Sequence, residues 1–293
     1  MMNVQLCSDL EKVIFQDIGK RGLSEFWTYG CLHEAATKIL DCNKTLPGFV
    51  LTGFCCMNEK CETDGPIGTS VLNRTLRDLG FNSIILTDSC AANVVISASL
   101  ENPVHIEDNP NNLPKDISFV ISIERPSRTM KTRDYRTCRA RDISHVTSPL
   151  DQLFQSIFRP EDKKPYLTIG VGDGGNEVGT GNVHDSIVKY VNLGEEIAAD
   201  TICDVLVLAG VSNWGAIAIA ASLAICCEDQ EIAQKFIDFC GRQDEMLTNM
   251  LKYGSYDGIS GLSTRSIDGM KFEEEHTMVN NEIIKIVKSK YGI

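Results

Sequence analysis

Asp204-Val-Leu-Val-Leu-Ala-Gly-Val-Ser-Asn-Trp-Gly-Ala-Ile-Ala-Ile-Ala-Ala-Ser-Leu-Ala-Ile-Cys-Cys227 carries no charge after its first residue. From Val205 to Cys227 it is long enough to span a bilayer. Two features argue otherwise. Gly210-Val-Ser-Asn-Trp-Gly215 interrupts the run with turn and capping residues. The flanks Asp204, Glu228 and Asp229 are acidic and lack the cationic anchors that fix a span in lipid. The run therefore reads as a buried strand over Asp204–Ala209, a turn, and a helix over Ala216–Cys227 that is apolar on every side.

The same grammar recurs upstream. Gly48–Gly53, Ser83–Thr87, Ile117–Ile123 and Tyr166–Val171 are short, nearly continuous apolar runs, as Cys203–Leu208 is. Strands covered on both faces of a parallel sheet read this way. Helical segments alternate with them. Pro66 opens one that carries Ile67, Val71, Leu72, Leu76 and Leu79, because a proline at the first helical position loses no hydrogen bond. Asp88 or Ser89 caps another that runs to about Leu100, and Pro149–Phe158 is a short third. Near the C-terminus Val279, Ile283, Ile286 and Val287 form a stripe, with Glu273–Glu275 leading and Lys285, Lys288 and Lys290 trailing, the polarity a helix dipole prefers. Asn109–Pro114 reads as a surface loop. The expected architecture is one domain over residues 1–293, a three-layer α/β/α fold with a mainly parallel central sheet.

Composition narrows the function. At 43% hydrophobic and 23% charged residues, 293 residues are ordinary globular material rather than a disordered chain. Lys plus Arg is 28 against 40 Asp plus Glu, a net charge of −12. That balance argues against nucleic acid and against anionic membranes. The expected partner is a small-molecule substrate; homo-oligomerisation is left open. Twelve cysteines without a Cys-x-x-Cys pair read as reduced, buried side chains rather than a zinc site. The N-terminal residues lack an apolar signal segment and Arg-rich character, so the expected location is cytoplasmic, with the mitochondrial matrix as the alternative.

Ligands of open α/β sheets bind beyond the carboxyl ends of the strands. The five strand ends lead into Glu62-Thr-Asp64-Gly-Pro66, Asp88-Ser89, Glu124-Arg125-Pro126, Gly172-Asp173-Gly174-Gly175-Asn176-Glu177 and Gly210-Val-Ser-Asn213. Four of the five carry a carboxylate, which predicts an acidic cleft. Gly170-x-Gly172-x-x-Gly175 fits the dinucleotide fingerprint, with Glu195 at the distance of a ribose-binding acid. Asp173 in the turn opposes a pyrophosphate, however, and Gly179 and Gly181 break the helix that should cradle it. No P-loop and no Gly-x-Ser-x-Gly elbow occurs. An acid-bearing glycine turn suits a metal, a substrate ammonium or proton transfer.

Arg125–Arg141 is a cationic island, with Arg125, Arg128, Lys131, Arg133, Arg136, Arg139 and Arg141 against Asp134. It either forks a substrate carboxylate or phosphate or pairs with acids elsewhere. Asp257-Gly258 and Asp268-Gly269 are turn signals, and Asp257 is the one expected to reach the cleft. Cys90 reads as a buried thiol, and His145 and His184 lack ligand spacing.

Leu51-Thr-Gly-Phe54, Glu62-Thr-Asp-Gly-Pro66, Ile121-Ser-Ile-Glu-Arg125 with its Arg-rich sequel, Gly170-Val-Gly-Asp-Gly-Gly-Asn-Glu177 with Gly181-Asn182, and the two late Asp-Gly pairs occur together in order. From about residue 20 to 290 the chain resembles the D-glutamate cyclase family, specifically its C-terminal-type domain. The resemblance implies an α/β enzyme that dehydrates D-glutamate, or a related acidic amino acid, to 5-oxo-D-proline. Such a reaction needs a general base for the amine and an acid or Lewis acid for the departing oxygen. Asp173, Glu177 and Asp64 are the expected acid/base residues, and also the expected ligands of a divalent metal (Mg, Mn or Ca) if one takes part. Asn176, Gly174, Gly175, Asp88, Glu124, Arg125, Arg128 and Asp257 are the expected substrate-binding residues. The alternatives are a divalent-metal-dependent hydrolase or phosphatase, a non-catalytic small-molecule binder and, last, a nicotinamide enzyme.

Overall fold

The computed structural model describes residues 1–56, 60–155 and 166–293. Six parallel strands form one sheet: β1 (Gly48–Thr52), β2 (Ser83–Thr87), β3 (Val104–Ile106), β4 (Phe119–Ile123), β5 (Leu167–Gly172) and β6 (Val205–Leu208). Their order is β3-β2-β1-β4-β5-β6. Val50 of β1 pairs with Ile85 of β2 on one side and Ile121 of β4 on the other. This is the order of doubly wound sheets, whose winding direction reverses between β1 and β4 and opens a crevice there.

Helices α1 (Met2–Ile14), α2 (Cys31–Leu40), α3 (Pro66–Asp78) and α4 (Ala92–Ser99) come first, followed by the short α5 (His184–Tyr190) and α6 (Gly194–Ile197). Then come α7 (Ser212–Cys226), α8 (Gln230–Cys240), α9 (Gln243–Lys252) and α10 (Thr277–Tyr291). The sheet is the middle of three layers. Val50, Ile85, Ile121, Ile169 and Val207 face a thick helical layer centred on α7, which is buried from Ser212 to Ile225. Gly68 of α3 lets that helix touch α7, since a Cβ there would stand 2.7 Å from the Asn213 carbonyl. Phe49, Leu51, Leu86 and Val120 face a thinner layer that includes the 3₁₀ turn Leu150–Phe154.

The charge-free run Val205–Cys227 is β6, a turn and α7, and among the described residues no helix is long and apolar enough to cross a membrane. Three expectations change. Helix α7 begins at Ser212 rather than Ala216, so Ser212–Gly215, expected in the turn, form its first turn. The helix expected over Pro149–Phe158 is a 3₁₀ turn ending at Phe154, and its last residues lie outside those described. Strand β3 was not anticipated: three residues of an edge strand, mostly exposed, leave no apolar periodicity to read. A hairpin of β7 (Ser266–Ile267) and β8 (Met270–Lys271) turns on Asp268-Gly269, with φ of 54° and 82°. Two successive positive φ values are what a two-residue Asp-Gly turn accommodates.

Candidate active site

The carboxyl ends of β1, β4 and β5 deliver Asp64, Glu124 and Asp173 to one point, with their nearest carboxylate oxygens within 4.8 Å of one another. Gly65 makes the first approach feasible. Its φ is 98°, and a Cβ there would lie 2.8 Å from both Thr52 Oγ1 and the Glu124 Cβ. Glu124 itself sits at φ 44°, a region non-glycine residues seldom occupy.

The N-terminus of α7 gathers these groups. The Ser212 amide donates to Asp64 Oδ2 (2.9 Å) and Asp173 Oδ2 (3.1 Å), and the Asn213 amide donates to Asp64 Oδ1 (2.8 Å). The Ser212 hydroxyl donates to Glu124 Oε2 at 2.5 Å. Glu177 folds back on its own turn, accepting from the amides of Gly174 and Gly175 at 2.8 Å each.

These residues line a cavity together with Glu62, Asp268 and Arg21. The guanidinium of Arg21 is clasped between Asp173 and Asp268. Phe54, Cys56, Cys138 and Ile259 add apolar and thiol surface, and exposed Arg139 and Arg141 stand at the rim. Arg139 also donates to the Ile259 carbonyl at 3.1 Å, joining the arginine loop to the loop that follows Asp257.

Six carboxylates around one cation perturb each other. Burial, reinforced by the charges of Asp173 and Asp268, raises Asp64 well above the usual carboxylate range. Glu124 is raised by burial and by Asp173 and Glu177; Glu62 is raised by burial and by neighbouring acidic groups. Asp173 and Glu177 are also raised by burial, although Arg21 pulls both back. Asp268 is pushed up to about 7 by burial and by Asp173, against the pull of Arg21. A cleft of this composition keeps protons beyond the usual carboxylate range, so part of it donates hydrogen bonds rather than repelling anions.

Of the residues expected from sequence, Asp64, Glu124, Asp173, Gly174, Asn176 and Glu177 line the cavity. Asn176 spends one amide hydrogen on the Arg136 carbonyl at 2.8 Å. Gly175 shapes the turn but is not in the lining. The compact acid triad contains Glu124 where Glu177 was expected, because the Glu177 carboxylate is committed to the glycine amides. Asp88 and Arg125 lie outside the lining in a buried ion pair of 2.7 Å, and Arg125 also donates to the carbonyls of Gly53 and Ser148. Arg128 is held by Asp151 at 3.1 Å. Most of the arginine island thus pairs with acids, and its two cavity residues are Arg139 and Arg141. Asp257 also lies outside the lining, accepting from the amides of Ile259, Ser260 and Gly269. It ties the two Asp-Gly turns together and so sets the position of Asp268. Cys90 is partly exposed; hydrogen bonding to Cys55 and burial push its thiol up, away from thiolate chemistry.

The sequence offers Glu62 and Ser212 only within strand-end stretches, Asp268 only as a turn signal, and Arg139 and Arg141 only within the cationic island; neither these nor Arg21 are among the expected site residues. The Asp-Gly hairpin turn was the available signal for Asp268, and the strand end at Ser212 for the helix cap. Arg21 had none, since it reaches the cleft from the loop after α1.

A dinucleotide does not suit this turn. In such sheets the fingerprint follows β1, whereas here the glycine run follows β5. Its free amides are already occupied by Glu177, and no long helix continues it. The acid triad does fit a hard divalent cation, which takes carboxylate oxygens. Asp64, Glu124 and Asp173 are the residues that would hold it.

A family model described as D-glutamate cyclase-like, C-terminal, matches residues 10–284. The mitochondrial D-glutamate cyclase of Homo sapiens is 26% identical over 331 residues, covering 98% of this chain and 52% of that protein. The chain therefore spans about half the length of this curated relative.

Proposed function

The chain belongs to the D-glutamate cyclase-like, C-terminal family, and from that premise we propose that it dehydrates D-glutamate to 5-oxo-D-proline. One observation carries the reading: carboxylates from three strand ends meet on one side of a cavity whose rim carries Arg139 and Arg141. A substrate with an ammonium and two carboxylates matches that gradient. Its ammonium faces the acids, and a carboxylate faces the arginines.

The reaction forms one C–N bond, from the α-nitrogen to the side-chain carboxyl carbon, and breaks one C–O bond. Two hydrogens of the ammonium leave with the departing oxygen as water. Asp173, kept the more ionised by Arg21, takes a proton from the ammonium. Glu124, raised by burial and by its acidic neighbours, gives its proton to the departing oxygen and takes the second nitrogen proton in return, while the proton held by Asp173 completes the water. Asp64 shares the charge of the pair, Glu177 fixes the turn that presents Asp173, and Asn176 donates to a substrate carboxylate. Holding amine and carboxyl in contact supplies much of the acceleration.

Proton NMR of the protein with D-glutamate and, separately, L-glutamate tests this. The expected result is 5-oxoproline from the D form only; none from either form overturns the proposal. The acid triad favours a second reading, in which Mg²⁺, Mn²⁺ or Ca²⁺ at Asp64, Glu124 and Asp173 supplies Lewis acidity. Repeating the NMR with chelator, and after metal is restored, decides between them. Residence in the cytoplasm or mitochondrial matrix is compatible with either.

A further inference from the structure

Building on the lyase reading, we infer that Ser212 is a positioning residue of this site. Its hydroxyl commits one carboxyl oxygen of Glu124 to the start of α7 and leaves the other to face the substrate. Three observations lead there. Ser212 is fully buried, so no solvent competes for its hydroxyl, and the acceptor it has is Glu124 Oε2 at 2.5 Å. Glu124 stands at a strand end with its backbone at φ 44°, where its own helix or strand does nothing to select a rotamer. The Ser212 amide meanwhile bridges Asp64 and Asp173. One residue therefore spaces carboxylates from three strands.

Asn213 extends the same function away from the reacting atoms. Its side-chain oxygen accepts from the amides of Gly65 (3.1 Å) and Gly68 (2.7 Å), and its Nδ2 donates to the Thr63 carbonyl (3.2 Å). The Ser212-Asn213 pair thus fastens the Asp64 turn and α3 to α7, while the Ser212 side chain deals with Glu124 alone. Removing the hydroxyl leaves both amide contacts in place and releases one carboxylate.

Precise placement of an acid acts on the reacting complex more than on binding. Ser212→Ala is expected to lower kcat about tenfold, the scale of one hydrogen bond to an uncharged carboxyl, with KM changed by less than about threefold. Ser212→Thr keeps the hydroxyl and is expected to recover most of kcat. Unchanged kcat in Ser212→Ala, or no recovery in Ser212→Thr, overturns the inference. A urea-unfolding cycle of Ser212→Ala, Glu124→Ala and the double variant reads the contact without turnover. The double variant is expected to unfold no earlier than the weaker single variant, and additive losses overturn the contact. If the unaltered protein forms no 5-oxoproline from either glutamate, the lyase reading falls and this cycle alone decides the role of Ser212.

Discussion

Glu124 and Arg125 are neighbours in sequence, yet they belong to opposite kinds of buried charge. Glu124 joins Asp64 and Asp173 in a cavity lined by six carboxylates, where the cation within the cluster is Arg21. Arg125 turns away into a matched pair with Asp88, completed by two backbone carbonyls, and Arg128 with Asp151 repeats the pattern. Both regions put charge out of water, at considerable cost. The paired region recovers much of the cost locally, although Arg125 Nε and Arg128 Nη2 stay without a hydrogen-bond partner among the described residues, and neither pair lines the cavity. The acid region leaves like charges facing a cavity and pushes their proton affinities up. Imbalance beside open space distinguishes a site from a girder, and the type of residue does not.

The largest expected effects separate these two regions. Asp173→Asn should lower kcat for 5-oxoproline formation by about 10³-fold, the range of a lost general base. Arg21 keeps Asp268 as a partner and one source of repulsion is gone, so urea unfolding should show stability held or raised. Near-normal turnover in this variant removes Asp173 from the mechanism. Asp88→Asn should do the reverse. It strands the buried Arg125, with an expected loss of about 3–5 kcal/mol in unfolding free energy. At a temperature where the variant remains folded, kcat should stay within about threefold of the unaltered protein. A large kcat defect there would mean that the girder also takes part in the chemistry.

Acidity sharpens the contrast further. Asp268 is raised to about 7 from an ordinary value of 3.8. Between about pH 4 and 7 the folded chain holds a proton that the unfolded chain has released. Its contribution to stability is therefore complete below the unfolded value and is lost as pH rises through the folded one. Asp268→Asn should make the fall of unfolding free energy across that window shallower by about 1.4 kcal/mol per pH unit, one proton's worth. An unchanged slope in urea titrations would mean that Asp268 ionises normally.

The sheet was legible because buried parallel strands are short apolar runs, and Ser83–Thr87 was read with the bounds that the structure has. Strand-end reasoning likewise found Asp64, Glu124 and Asp173 before any geometry. What stayed hidden depended on direction. Arg125 and Arg128 follow a strand end as Glu124 does, and nothing in the sequence says that their side chains turn from the cleft into Asp88 and Asp151. Asp257 and Asp268 each precede a glycine. Only the hairpin places Asp268 in the cavity and leaves Asp257 tying the turns. Arg21 lies far along the chain from every motif, so its meeting with Asp173 is purely tertiary.

The cationic rim provides the mildest test. Arg139 and Arg141 are the members of the arginine island that reach the cavity, and both are exposed. A solvated arginine has most of its field screened and gives a substrate carboxylate modest help. Arg139→Met should therefore raise KM for D-glutamate about three- to tenfold at low salt, leaving kcat nearly unchanged, as loss of a uniform binding contact does. Because the contact is solvent-screened, the defect should shrink as salt is added. The same substitution frees the Ile259 carbonyl, so an effect that ignored salt would instead point to the loop contact. Arg128→Met, in the girder, should leave KM where it is. A KM change there equal to that of Arg139→Met would erase the line drawn between the two regions.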